Sequence, residues 1–196
     1  ELLTPDFGDY ELIDTGDFEK LERFGRYVTR RPEPQAIWRR TLPEEEWRRT
    51  ADAAFLRDAR SDERGEWRLA PKTPDRWTVE YAYREMRLRM RLGLTSFKHV
   101  GIFPEQAANW NFIYDECRAL GGDSGGAKVL NLFAYTGAAS VACAKSGASV
   151  CHVDAAKGMV AWAKENARVS GLADAPIRWI VDDCAKFVER EIRRGK

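Results

Sequence analysis

The sequence predicts an α/β fold in which a parallel sheet covered by helices follows a small β-rich domain. From residue 128 onward, short apolar runs alternate with stretches of helical periodicity, the pattern of repeated strand–helix units. Before residue 93, two-residue alternation and turn-forming residues dominate. The hydrophobic fraction of 44% is normal for a globular protein. We therefore expect a β-rich substrate-recognition domain over residues 1–93 and an α/β domain over residues 94–196.

In the first domain, we expect strands over residues 10–14, 24–30 and 36–40, the last two separated by a proline-containing turn. Pro43 is expected to open a short helix, because proline suits the first helical turn. Residues 77–92 alternate between apolar and polar side chains, and the phase shifts at Arg84 and Glu85, which predicts a turn, bend or bulge there.

Two sets of side chains in this domain have both a structural and a functional interpretation. Four arginines fall on the polar face of residues 77–92, which predicts either a solvated strand face or a phosphate-binding one: Arg84, Arg87, Arg89 and Arg91. Four tryptophans could stack on bases, although in a small β domain such residues more often form the core: Trp38, Trp47, Trp67 and Trp77.

In the second domain, a helix is expected from Pro104 to about residue 120, followed by a flexible glycine-rich connector over residues 121–126. Three strand–helix units then follow in order. The strands are expected over residues 128–133, 149–153 and 176–181, and the helices over residues 138–146, 156–170 and 184–194. Such an alternation predicts parallel strands joined by right-handed crossovers.

Several functional classes are not favoured by the sequence. No apolar run is long enough to cross a bilayer, so no membrane partner is expected. The four cysteines contain no CxxC pair, so we expect reduced thiols in the cytoplasm and no metal site. Acidic and basic residues nearly cancel to a net charge of +1, so overall charge does not identify a nucleic-acid binder.

The ends of the three predicted parallel strands carry the residues of a ligand site. Gly137 allows close backbone approach and precedes a helix whose free amides attract a carboxylate, and Thr136 adds a hydroxyl. Asp154, seventeen residues after Gly137, can accept both hydroxyls of a ribose. Asp183, after the third strand, can accept a hydrogen bond from an adenine amine.

The arrangement is Rossmann-like, and both NAD and S-adenosylmethionine fit it. The missing GxGxxG, which a pyrophosphate needs, favours S-adenosylmethionine.

Four segments of the sequence resemble the class I methyltransferases related to enzymes that methylate cytosine and guanine in large-subunit ribosomal RNA. Residues 129–137 (VLNLFAYTG) are similar to that family's first motif, and residues 153–166 (VDAAKGMVAWAKEN) to its second. Residues 180–183 (IVDD) resemble its third motif, and residues 99–106 (HVGIFPEQ) its segment that closes over the cofactor. The resemblance covers roughly residues 97–187.

The resemblance implies roles for individual residues. The loop at residues 133–137 would hold the methionine moiety and Asp154 the ribose. Ala155 and Ala156 would lie beside the adenine, whose edge Asp183 and Cys184 would define. Phe103 and Gln106 would lie near the cofactor. The predicted cofactor-binding set is Phe103, Gln106, Asn131, Phe133, Ala134, Tyr135, Thr136, Gly137, Asp154, Ala155, Ala156, Asp183 and Cys184.

The family's catalytic Asp-Pro-Pro-type motif follows a fourth strand, and the resemblance places it beyond Lys196. The catalytic residues are therefore expected outside this sequence. We expect methyl transfer to RNA, ribosomal RNA by resemblance. Two alternatives stay open at this point. One is a nicotinamide-dependent oxidoreductase, although the glycine fingerprint of such enzymes is missing from this sequence. The other is a non-catalytic RNA-binding module.

Overall fold

The computed structural model describes residues 5–58, 64–121 and 126–195, and the chain divides into two compact units. The first unit comprises Asp6–Glu80 and Arg91–Ile102. The second comprises mainly Tyr81–Met90 and Phe103–Lys196. A single boundary at residue 93 does not describe this division. The uninterrupted two-residue alternation of residues 86–92 gives no sign of where along the strand the packing changes.

The first unit is built on a five-stranded sheet with strands in sequence order. Neighbouring strands pair antiparallel, except that β3 and β4 run parallel. The parallel pair is joined through a short helix, α1, which begins after Pro43 as the sequence predicts. The strands are β1 (Tyr10–Gly16), β2 (Glu19–Phe24), β3 (Tyr27–Pro32), β4 (Ala53–Arg57) and β5 (Gly65–Leu69), and α1 is Glu44–Thr50.

Two strand predictions in this unit are wrong. The single strand expected over residues 24–30 is a hairpin, because Gly25, with φ +63°, turns the chain between Phe24 and Tyr27. The segment at residues 36–40 is not a strand. It is fixed instead by turn and loop hydrogen bonds, such as the bond from Asp17 N to Trp38 O (2.7 Å). Strands β4 and β5 were not predicted: β4 is a short apolar run that contains two alanines, and β5 has few apolar residues.

A buried carboxylate organises the core of the first unit. Leu21, Val28 and Trp47 form an apolar cluster. Asp14 accepts hydrogen bonds from the Trp47 indole N–H (2.9 Å) and from Leu42 N (2.9 Å). Burial opposes ionisation of Asp14, but these hydrogen bonds hold the pKa of its carboxyl below the usual value. The charge therefore ties β1 to α1 and to the segment before it.

Residues 76–93 form a hairpin of β6 (Arg76–Tyr83) and β7 (Met86–Gly93), so the phase shift at Arg84 and Glu85 is a turn and not a bend or a bulge. The alternate apolar side chains of β7 are buried, and on β6 Val79 and Tyr81 are buried while Trp77 and Tyr83 are half-buried. In the tip that belongs to the second unit, Arg84, Arg87 and Arg89 are exposed. Arg84 pairs with Asp115 at 3.2 Å, so part of the arginine face is neutralised within the unit.

The second unit contains a three-stranded parallel sheet in the order β10-β9-β8. Each strand is followed by a helix, which confirms the predicted strand–helix units. The middle of the expected connector, residues 122–125, lies outside the described residues. The strands are β8 (Lys128–Leu132), β9 (Ser149–Asp154) and β10 (Ile177–Val181). A 3-10 turn (Pro104–Gln106) leads into α2 (Ala107–Gly121), and α3 (Ala138–Lys145), α4 (Lys157–Val169) and α5 (Cys184–Arg193) follow the strands.

Within residues 5–58, 64–121 and 126–195, no helix combines the length and apolar character needed to cross a membrane.

All four cysteines are free thiols. Burial and the neighbouring Cys117 raise the pKa of the Cys143 thiol to about 12, so this thiol is an inert part of the core.

Candidate cofactor-binding site

The carboxyl ends of the three parallel strands meet at one edge of the sheet. The register pairs Leu132 with Val153 and Asp154 with Val181. Backbone hydrogen bonds continue past the strands: Ala134 N donates to Val153 O, and Asp182 N donates to Asp154 O, each at 3.1 Å. The segments after β8, β9 and β10 are therefore held side by side, as the ligand edge of an open parallel sheet requires.

Asp154, the last residue of β9, is fixed by two backbone amides. Its Oδ2 accepts from Tyr135 N at 2.9 Å, and its Oδ1 accepts from Ala156 N at 2.8 Å. Each carboxylate oxygen has two lone pairs, so each can accept one further hydrogen bond. Asp154 thus presents two free acceptor sites in a fixed orientation, which is what a pair of ribose hydroxyls requires.

The loop at residues 133–137 has left-handed backbone at alternate positions. The φ angles are +53° at Phe133, +51° at Tyr135 and +86° at Gly137. For the two non-glycine residues this costs about 1–2 kcal/mol each, and such strain clusters at ligand sites. Ala134 and Thr136 are buried, whereas Phe133 is 78% exposed. The buried Thr136 hydroxyl, which the sequence offered to a ligand, does not lie at the surface of the loop.

Gly137 is required by two constraints at once. Its φ of +86° disfavours a side chain, and a Cβ there would lie 2.9 Å from the Cβ of Ala163 in α4. Gly137 is also the N-cap of α3, and its lack of a side chain leaves the first amides of that helix without a side-chain acceptor. The loop therefore reaches the helix start with N–H groups and a partial positive charge available for an anionic group.

The predicted adenine side of the site is partly exposed. Ala155 and Ala156 are exposed and lie directly after Asp154, so they can cover a flat apolar ring. Asp183 is exposed and caps α5, its Oδ1 accepting from Lys186 N at 3.0 Å. The capping bond occupies one acceptor position of Asp183 and leaves others.

Cys184 lies behind this surface rather than on it. Its side chain is buried, and its Sγ accepts a hydrogen bond from Phe133 N at 3.2 Å. The thiol therefore joins the loop after β8 to the start of α5. A ligand contact at Cys184 would have to use the backbone and not the sulfur.

Phe103 and Gln106 differ in their placement. The Phe103 ring lies 5.2 Å from the Tyr135 ring, centroid to centroid, so the structure brings Phe103 to the loop. The Gln106 side chain is exposed and its Oε1 accepts from Asn109 Nδ2 at 2.7 Å. A cofactor contact of Gln106 stays a prediction.

Asn131, one of the predicted cofactor residues, belongs to a polar network beneath the loop whose other members were not predicted to act at the site. Asn131 Nδ2 donates to Ser140 Oγ, which lies 2.9 Å from His152 Nδ1. Burial lowers the pKa of His152 to about 4, so its ring is neutral. In α4, Asn166 donates to Thr136 O at 2.8 Å. These residues come from β8, α3, β9 and α4, so no spacing along the chain could have revealed that they meet.

Among the residues that the structure describes, no group of three histidine, cysteine or acidic side chains is arranged to hold a metal ion. The site instead offers a fixed carboxylate, a strained loop that leads into a helix start without a side-chain cap, and an exposed apolar shelf. This set suits a ligand that combines a charged amino-acid end with a nucleoside.

A model of the S-adenosylmethionine-dependent methyltransferase family matches residues 30–188. The chain belongs to this family. The assignment identifies the cofactor as S-adenosylmethionine and not NAD. It therefore does not support the oxidoreductase alternative.

Individual relatives agree with the assignment. A SAM-dependent methyltransferase from Agrobacterium tumefaciens is 43% identical, with a TM-score of 0.85 over 96% of this chain and 57% of its own. A putative methyltransferase from Streptococcus mutans shares the fold at 18% identity, with a TM-score of 0.69 over 97% and 50%. The ribosomal RNA large subunit methyltransferase K/L of Shewanella frigidimarina is 34% identical over 59% of this chain. The chain spans 15% of that protein's length.

Proposed function

We propose that this chain binds S-adenosylmethionine at the carboxyl edge of β8, β9 and β10, and that the protein transfers its methyl group to RNA. When bound, the cofactor supplies an electrophilic methyl group on a sulfonium. The chain's own residues then bind and orient: the start of α3, which has no side-chain cap, faces the methionine carboxylate, and Asp154 accepts hydrogen bonds from the ribose hydroxyls. Ala155, Ala156 and Asp183 border the adenine. Methyl transfer of this kind depends mainly on position and approach angle, so few ionisable groups are needed.

The observation that carries the proposal is the fixed orientation of Asp154. Because its two oxygens are held by the amides of Tyr135 and Ala156, the carboxylate loses little freedom when a ligand binds. Hydrogen bonds to a charged group contribute about 1.5–3 kcal/mol each. Removing the acceptor should therefore weaken a nucleoside ligand by at least about tenfold.

The test is calorimetric titration of the chain with S-adenosylmethionine, S-adenosylhomocysteine and NAD. We expect the first two to bind and NAD not to bind. Asp154→Asn should weaken both by at least about tenfold. Asp174→Asn, which changes an exposed acid in the turn between α4 and β10, should leave both affinities unchanged. Binding of NAD alone, or equal affinities in wild type and Asp154→Asn, would contradict the proposal.

RNA is proposed as the methyl acceptor because the curated relative is named a ribosomal RNA methyltransferase. We assign substrate recognition to the first unit and cofactor binding to the second. The test is transfer of tritiated methyl from S-adenosylmethionine to total ribosomal RNA by the full-length protein. Label in protein or in small molecules, with none in RNA, would reject the RNA assignment. The cytoplasm is proposed as the location, since all four cysteines are free thiols.

A further inference from the structure

Three large apolar side chains are exposed together on two adjoining loops of the first unit. Phe18 is 57% exposed in the turn between β1 and β2, and Ile37 and Trp38 are 75% and 52% exposed in the segment after β3. Backbone hydrogen bonds join the loops: Asp17 N donates to Trp38 O at 2.7 Å, and Phe18 N to Ala36 O at 2.8 Å. We call Phe18, Ile37, Trp38 and the adjacent exposed Arg39 the aromatic loop patch.

The patch is held in place by unusual backbone geometry. Asp17 and Phe18 both have left-handed backbone, with φ of +49° and +64°, although neither is glycine. Gly16 lies so close to the second loop that a Cβ would be 2.5 Å from Arg40 N. Positive φ at both positions is what a two-residue hairpin loop between Gly16 and Glu19 requires, so the pairing of β1 with β2 fixes the turn that carries Phe18.

The polar group of Trp38 is already satisfied within the unit. Its indole N–H donates to Thr15 O at 2.8 Å, which fixes the ring and leaves its apolar surface as the part open to a partner. The other tryptophans that the sequence offered for base stacking are more enclosed. Trp47 is fully buried, and Trp67 and Trp77 are half-buried. The structure therefore singles out Trp38 among them.

We propose that the aromatic loop patch binds unpaired RNA nucleotides, with bases stacking on Trp38 and Phe18 and a phosphate meeting Arg39. This rests on RNA being the substrate of the proposed function. Aromatic rings beside an arginine are the usual surface for splayed single-stranded bases. Four residues are too few for a stable protein interface, which buries about 800 Å² and 20–30 residues per partner. They match one or two bases, so unpaired RNA is the partner that fits.

The test measures fluorescence anisotropy of an unstructured RNA of about 12 nucleotides and of a duplex of equal length. Trp38→Ala should weaken single-strand binding by about 5- to 100-fold and change duplex binding little. Trp38→Phe, which keeps a stacking ring, should retain most of the affinity. Arg39→Gln should lower the salt slope of binding by about 0.7, one phosphate contact. Phe112→Ala, which removes an aromatic ring that is 65% exposed in the second unit, is the matched control and should change nothing.

Two further readouts separate the possible failures. Each variant is titrated with S-adenosylhomocysteine, which the patch variants should bind as the wild type does. Wild-type chain that binds the cofactor but shows equal RNA affinity with and without Trp38 would overturn the patch proposal alone. RNA binding that depends on Trp38, without cofactor binding, would overturn the proposed cofactor site alone. Loss of self-association in Trp38→Ala by ultracentrifugation, with RNA binding unchanged, would make the patch a protein interface and the proposal wrong.

Discussion

Replacing Gly137 with alanine tests the geometry of the cofactor loop directly. At φ +86°, a side chain costs about 1 kcal/mol through backbone strain alone. The added Cβ would also lie 2.9 Å from the Ala163 Cβ and 3.4 Å from its Cα. Neither atom belongs to a flexible side chain, so the loop or α4 must move, at a cost of about 1–3 kcal/mol. We expect Gly137→Ala to lower the free energy of unfolding by about 2–4 kcal/mol.

The assay is thermal unfolding followed by circular dichroism, where this loss corresponds to a fall in Tm of roughly 5–15 °C. Gly147→Ala is the matched control. Gly147 has a similar φ of +92°, but no atom lies within 4 Å of the position that a Cβ would occupy, so the substitution carries the backbone cost alone, about 1 kcal/mol. The double variant Gly137→Ala/Ala163→Gly should recover part of the loss, because it removes the nearer contact. Equal losses in Gly137→Ala and Gly147→Ala would refute the close packing of the loop against α4.

Three further predictions follow from the buried polar groups. The pKa of His152 is about 4 in the folded chain, against an ordinary value of 6.5, so its contribution to stability is full above pH 6.5 and lost as pH falls toward 4. Between pH 6.5 and pH 4, the unfolding free energy of the wild type should therefore fall by about 3 kcal/mol more than that of His152→Gln, as measured by denaturant titration at each pH. Arg31→Met should cost about 1–3 kcal/mol, because Glu22, 1% exposed, then keeps only the Tyr10 hydroxyl (3.0 Å) and Lys20 (3.6 Å) as partners; a loss below about 1 kcal/mol would contradict this. Asn166→Ala should weaken S-adenosylhomocysteine binding about 5- to 10-fold by freeing Thr136 O. Ser170→Ala is the control and should leave this binding unchanged, because the Ser170 hydroxyl lies just after the end of α4 and bonds the backbone of Arg89 instead.

The second unit could be predicted almost element by element. Buried parallel strands such as β9 are short apolar runs, and the helices between them end at glycines such as Gly147 and Gly171, so the signals are local. The first unit could not be predicted as well. Its hairpin at Gly25 lies inside a run that has strand composition on both sides, and its fifth strand, β5, has few apolar residues.

For the site, the sequence alone determined which residues stand at the strand ends. Asp154 and Gly137 could be chosen because a carboxylate and a glycine after successive parallel strands suit a nucleoside ligand, and the missing GxGxxG favoured one cofactor over another. The family assignment confirms that choice of cofactor. The contacts of the individual site residues with the cofactor stay predictions.

Only the tertiary structure decided how those residues are held and which aromatic side chains stay in solvent. Cys184 and Thr136 stand in the predicted motifs but turn their side chains inward, while Asn166, which lies thirty residues from Thr136, supports the loop from α4. From the sequence, Trp38 and Trp47 have the same two interpretations, base stacking or core packing. In the structure, Trp38 is 52% exposed and Trp47 is fully buried. Burial and hydrogen-bond partners depend on contacts between segments far apart in the chain, and local composition and spacing contain no record of them.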